Sequence, residues 1–100
     1  MANYKLTAKA VDDLTDIWSY TFDSWSEEQA DKYYNLLVDA FDDVATKPFL
    51  GKDYSEITEK LRGLGIGKHI IFYRETKENE IEIIRILHEQ MDLENRIKEK

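Results

Sequence analysis

The last third of the chain holds two runs, Lys68 to Glu75 and Ile81 to His88, so rich in Ile, Phe and Tyr that they read as β-strands. Side chains alternate between the faces of a strand, and here both faces are apolar. Ile70 and Phe72 oppose Ile71 and Tyr73; Ile81, Ile83 and Leu87 oppose Ile84 and Ile86. Strands of this kind lie in the middle of a sheet that is covered on both sides. A five-residue polar connection containing Asn79 joins the two runs, which is a hairpin signal. The rest of the chain supplies apolar cover for one side of the sheet, so the other side is expected to take a partner.

That cover comes from two helices. Tyr4 to Leu6 reads as a short first strand, after which Thr7 offers a capping hydroxyl. Val11, Leu14, Ile17, Trp18, Phe22 and Trp25 come next at helical spacing and predict a helix over Ala8 to Asp23. Ser26 with Gln29 three residues later forms a capping box, and Ala30, Tyr33, Tyr34, Leu37, Phe41 and Val44 repeat at helical spacing until Pro48 stops them. A second helix over Glu27 to Lys47 is therefore predicted, antiparallel to the first because the link is so short. Trp18 and Tyr34 are expected in the helix-sheet core and Trp25 at the exposed hairpin tip.

The stretch 51–60 is polar and irregular, and Leu61 to Ile66 reads as a further strand. Gly63, Gly65 and Gly67 interrupt it, which predicts a bulge or a close backbone approach. The tail from Leu93 to Lys100 has only Leu93 and Ile97 at helical spacing and is expected to be frayed or partner-dependent. The order is β-α-α-β-β-β: an α+β fold in one domain spanning residues 1–100, with an antiparallel helical hairpin packed on one face of a small, mainly antiparallel sheet.

Composition narrows the chemistry. The chain has no cysteine, so disulfides, thiolate zinc sites and cysteine nucleophiles are excluded. Two histidines nineteen residues apart have no recognised metal-ligand spacing, and neither a metal nor a cofactor is expected. Met1-Ala2-Asn3-Tyr4 lacks the basic start and apolar run of a secretory signal, and no stretch reaches the ~18 apolar residues of a membrane span. A cytoplasmic protein is expected. Residues 1–60 carry 13 acidic and 6 basic side chains, a net −7, whereas residues 61–100 carry 8 of each. This acidity opposes direct nucleic-acid binding at long range and suits a protein target better. The acids Asp12, Asp13, Asp16, Asp39, Asp42 and Asp43 read as the solvated faces of the helices.

Several segments together resemble the RelE/ParE toxin superfamily, in particular its ParE branch. They are Leu61-Arg62, the strand Gly67-Lys68-His69-Ile70-Ile71-Phe72-Tyr73-Arg74, and Ile84-Arg85-Ile86-Leu87-His88 with Met91-Asp92 behind it. Leu6-Thr7-Ala8-Lys9-Ala10, Asp13-Leu14, Ile17-Trp18, Tyr20, Trp25 and Pro48 to Gly51 match upstream in order and spacing. The resemblance implies a type II toxin that inhibits DNA gyrase by binding, is not an enzyme, and is neutralised by a cognate ParD-like antitoxin. It points to Arg62, Lys68, Arg74, Arg85, His88, Met91 and Asp92 as target or antitoxin contacts.

Two alternatives stand beside that reading. A RelE-like ribosome-dependent messenger-RNA endonuclease would cast Arg62, Lys68, Arg85 and His88 around one phosphate, because its transition state disperses negative charge. Leu87-His88-Glu89-Gln90 lacks the terminal tyrosine of that branch, which favours structural or binding roles for His88 and Asp92. The other alternative is a non-toxic relative that keeps only antitoxin binding. Arg85 shares a strand face with apolar residues, so it must reach the rim or meet a carboxylate. Glu75 and Asp92 are the candidate partners, and a functional arginine at the rim is the expectation. His69 is expected to be packed or surface-capping.

Overall fold

The computed structural model describes residues 3–77 and 80–98. Its elements are β1 (Asn3–Leu6), α1 (Ala8–Ser24), α2 (Glu27–Thr46), β2 (Lys52–Asp53), β3 (Arg62–Ile66), β4 (His69–Lys77), β5 (Glu80–His88) and α3 (Leu93–Lys98). The sheet order is β1-β5-β4-β3-β2, with β1 parallel to β5 and the other pairs antiparallel. The apolar strands β4 and β5 are thus central, as their two-faced composition requires. Asn79 of the expected connection lies outside the described residues. The two-residue β2 is too short to leave a periodic signal.

Both expected helix starts are present. Thr7 Oγ1 accepts the Ala10 N–H at 3.1 Å and donates to the Ile84 carbonyl at 2.8 Å, so one hydroxyl caps α1 and ties it to β5. Ser26 Oγ accepts the Gln29 N–H at 3.1 Å. Leu14 of α1 and Leu37, Phe41 and Val44 of α2 pack against Ile71, Tyr73, Ile81, Ile83 and Ile86. Trp18 instead clips the hairpin from outside, stacking on Phe22 and donating Nε1–H to Asp31 at 3.0 Å. Tyr34 is exposed, contrary to expectation, while Trp25 is 76% exposed at the tip, as expected.

The opposite sheet face is covered by the chain itself, which corrects the expectation of an open apolar face. Leu61, Phe72 and Leu87 form a second buried cluster, packed by Tyr54 and Ile57 from the irregular segment and by Leu93 and Ile97 from α3. The tail is therefore a docked helix as far as Lys98. Two apolar residues at i, i+4 suffice because they meet a preformed apolar surface rather than having to hold a helix alone.

Strand phase also differs from simple alternation. Phe72 pairs with Arg85 and Tyr73 with Ile83, leaving Ile84 as an extra residue opposite a single step of β4. The bulge inverts the phase of the rest of β5. Ile81, Ile83 and Ile86 face the helices, while Ile84 and Leu87 belong to the second cluster. The glycine-rich strand β3, by contrast, pairs with β4 in unbroken register. Gly63 makes room for the Tyr54 ring, 2.8 Å from where a Cβ would stand. Gly67 adopts φ +57° in the turn into β4, with the Tyr33 hydroxyl 2.7 Å from its Cβ position.

Candidate functional site

The seven residues singled out from the sequence do not form one constellation. Arg62 and Arg74 line a cleft of about 260 Å³ with Phe49, Lys60, Tyr73 and Glu75. Arg85, His88 and Met91 line another, of about 200 Å³, with Asp13, Asp16 and His69, toward the opposite end of β4. Lys68 is exposed in the turn between β3 and β4, where its carbonyl accepts the Glu89 N–H at 2.9 Å. Asp92 begins α3 as its cap, with Oδ1 accepting from the Asn95 N–H at 3.3 Å and Oδ2 from Asn95 Nδ2 at 2.7 Å.

Arg85 corrects the sequence expectation most sharply. It is 8% exposed and donates from Nε and Nη2 to the two carboxylate oxygens of Asp13, at 2.8 and 2.9 Å. Nη1 reaches the Arg96 carbonyl of α3 at 3.2 Å. The arginine thus links the layer of α1 to that of α3; its carboxylate is neither Glu75 nor Asp92, and it is not a free rim residue. Asp13 also accepts the Ile86 N–H at 3.0 Å, capping the edge of β5 beyond the last residue of β1. Asp13 is therefore largely buried, not part of the solvated face expected from the sequence. The available signal was its spacing, three residues after Ala10 and four before Ile17, at the margin of the buried stripe of α1.

The two histidines meet where β4 and β5 pair, His69 opposite His88, with ring centroids 5.4 Å apart. The Tyr33 hydroxyl lies 3.0 Å from the Ile66 carbonyl and 2.7 Å from His69 Nδ1. A carbonyl can only accept, so the tyrosine proton is assigned to Ile66, and His69 carries its own proton on Nδ1. Burial, and then the neighbouring His88, push the His69 pKa below its ordinary value. Burial raises that of Tyr33. His88 Nδ1 accepts the Gln90 N–H at 3.1 Å, which commits it to the turn after β5. Neither the Tyr33–His69 clamp nor Phe49 and Lys60 was recognised in the sequence, because each depends on contacts between distant segments.

In chemical terms the histidine cleft is poorly suited to a phosphodiester. Arg85 is matched by Asp13, and Asp16 offsets Arg96 in the lining, so the cleft has no excess of cations where a dispersing phosphoryl charge would need one. Among the described residues, no group of three or more His, Asp or Glu is placed to hold a metal ion. No described helix is long and apolar enough to cross a membrane.

Residues 4–93 match the family model described as the ParE toxin of the type II toxin-antitoxin system parDE. The chain belongs to this family. Toxin ParE1 of Mycobacterium tuberculosis is 36% identical over 96 residues, spanning 96% of this chain and 98% of that protein. In fold, the chain resembles a chain of the chromosomal ParDE toxin-antitoxin system from P. aeruginosa, with TM-score 0.75 and 23% identity over 88% of this chain and 96% of that one. It also resembles a chain of the toxin-antitoxin complex RelBE2 from Mycobacterium tuberculosis, with TM-score 0.66 and 20% identity over 87% and 96%. The α+β architecture is that of the RelE/ParE toxins, as the resemblance in the sequence implied.

Proposed function

We propose that this ParE-family toxin acts in the cytoplasm by binding DNA gyrase rather than by catalysis, and that a cognate ParD-like antitoxin neutralises it. Family membership supports a toxin with a protein partner, since the matched family is defined by a toxin-antitoxin system. The observation that carries the choice of binding over cleavage is the separation of the cations. A ribonuclease would gather Arg62, Lys68, Arg85 and His88 around one phosphate, yet Arg62 lines a different cleft from His88, and Arg85 is held by Asp13. A net charge of −7 also favours a protein surface over ribosomal RNA.

Purified gyrase tests the reading. The toxin is expected to inhibit supercoiling and to accumulate cleaved DNA, while messenger RNA on translating ribosomes stays intact. Cleavage of ribosome-bound messenger RNA, lost on His88→Ala, would support the endonuclease instead. Inactivity in both assays would support a relative that retains antitoxin binding alone.

A further inference from the structure

The cleft at Arg62 brings together two of the expected contact residues, Arg62 and Arg74, with Phe49 and Lys60, which the sequence did not single out. Lys60, Arg62 and Arg74 stand on its walls against the single carboxylate of Glu75, so three cations face one anion on a chain of net −7. Arg74 is paired with Glu82 at 3.2 Å, which leaves Lys60 and Arg62 against Glu75. Phe49 is 79% exposed and holds one ring face under the Arg62 guanidinium, 4.9 Å from the ring centroid. Pro48 beside it also lines the cleft, so apolar surface stands next to the cations.

The walls are rigid. The buried Tyr73 hydroxyl accepts the Gly51 N–H at 2.8 Å and donates to the Pro48 carbonyl at 2.8 Å, and Arg62 Nη1 donates to the Gly51 carbonyl at 2.9 Å. These bonds clamp the turn that presents Phe49, so its exposure is fixed before any ligand arrives. Lys60 adopts the left-handed region at φ 63°, a conformation that glycine would enter without strain. A lysine there places a long cation at the cleft mouth.

We propose that this cleft receives a short acidic segment of a partner protein, with an apolar side chain seated on Phe49 and an adjacent carboxylate held by Lys60 and Arg62. That the antitoxin supplies the segment rests on the functional reading above; the ligand chemistry does not. A peptide fits better than a nucleic acid for two reasons. The volume of about 260 Å³ and the excess of one positive charge, with Arg74 matched by Glu82, suit one or two side chains, whereas a nucleic-acid strand needs a track of cations along successive phosphates. The acidic remainder of the chain would repel a polyanion well beyond the cleft.

The test is amide chemical-shift mapping of the folded chain with three probes: the capped peptide Ac-Glu-Leu-Phe-Asp-NH2, its Gln/Asn counterpart, and hexathymidylate. The acidic peptide is expected to shift the amides of Gly51, Arg62, Tyr73 and Arg74, binding at least fivefold more tightly than the neutral peptide and less tightly as salt is raised. Lys60→Glu and Phe49→Ala, both at exposed positions, should each weaken it at least threefold while leaving the other amides in place. Equal binding of the neutral peptide, absence of shifts at those amides, or stronger perturbation by hexathymidylate would overturn the proposal. Failure to inhibit gyrase would leave this test untouched.

Discussion

Arg85 and Asp13, 72 residues apart in sequence, form a two-pronged ion pair at 2.8 and 2.9 Å, with side chains only 10% and 13% exposed. Through the Ile86 N–H and the Arg96 carbonyl the pair also joins β5 to α1 and α3. Removing either partner strands the other as a largely buried charge. Arg85→Ala or Asp13→Ala is expected to cost ~3 to 5 kcal/mol, a large share of what a small domain has in reserve. In a double-mutant cycle the combined variant should lose well under the sum of the two single losses, because the second substitution removes the orphaned charge. Urea melts of the four proteins measure this; an Arg85→Ala variant as stable as its parent would show that the pair does not hold the fold.

The same pair marks where sequence reasoning reached its limit. The strands, helices and caps were legible because each depends on local spacing: Thr7 before α1, Ser26 before α2, and Pro48 after it. The bulge at Ile84 was not, since an extra residue in β5 is visible only against its pairing with Phe72 and Tyr73. That one residue moved Leu87 to the opposite face from Ile83, and the Asp13 partner that buries Arg85 comes from a helix 72 residues away in sequence. Of the candidate site, the residue types were found but not their grouping, because the clefts are assembled from segments that periodicity treats separately.

Tyr73→Phe probes the clamp on the Pro48 to Gly51 turn. The hydroxyl both accepts from Gly51 and donates to Pro48, so its loss leaves a donor and an acceptor without their partner in a buried setting. The expected destabilisation is ~1 to 3 kcal/mol. In the same variant, amide exchange at Gly51 should accelerate by more than global unfolding explains; unchanged exchange would show that the hydroxyl does not restrain the turn.

Helix α3 covers the second cluster with only Leu93 and Ile97, both half-buried. Leu93→Ala with Ile97→Ala should therefore cost roughly 2 to 3 kcal/mol and increase dye binding to the newly exposed surface around Phe72 and Leu87. Thermal melts and fluorescence of a hydrophobic dye check this, and a double variant that matches its parent in both would mean that the helix adds no stabilising cover.

His69 makes stability depend on pH. Its pKa is depressed in the fold, chiefly by burial and next by His88, with Asp13 and Glu89 acting in the opposite direction. The unfolded chain therefore binds a proton at this position more readily than the folded one. This contribution is fully present above the unfolded value of about 6.5 and is lost as pH falls from there through the folded pKa. The melting temperature should drop between about pH 7.5 and 5.0, and His69→Gln should flatten that part of the profile while lowering the plateau, because the Tyr33 contact is altered. Carboxylates ordinarily titrate at about 4, so staying above about pH 5 limits their share of the signal. A His69→Gln profile parallel to that of the parent would assign the acid sensitivity to other groups.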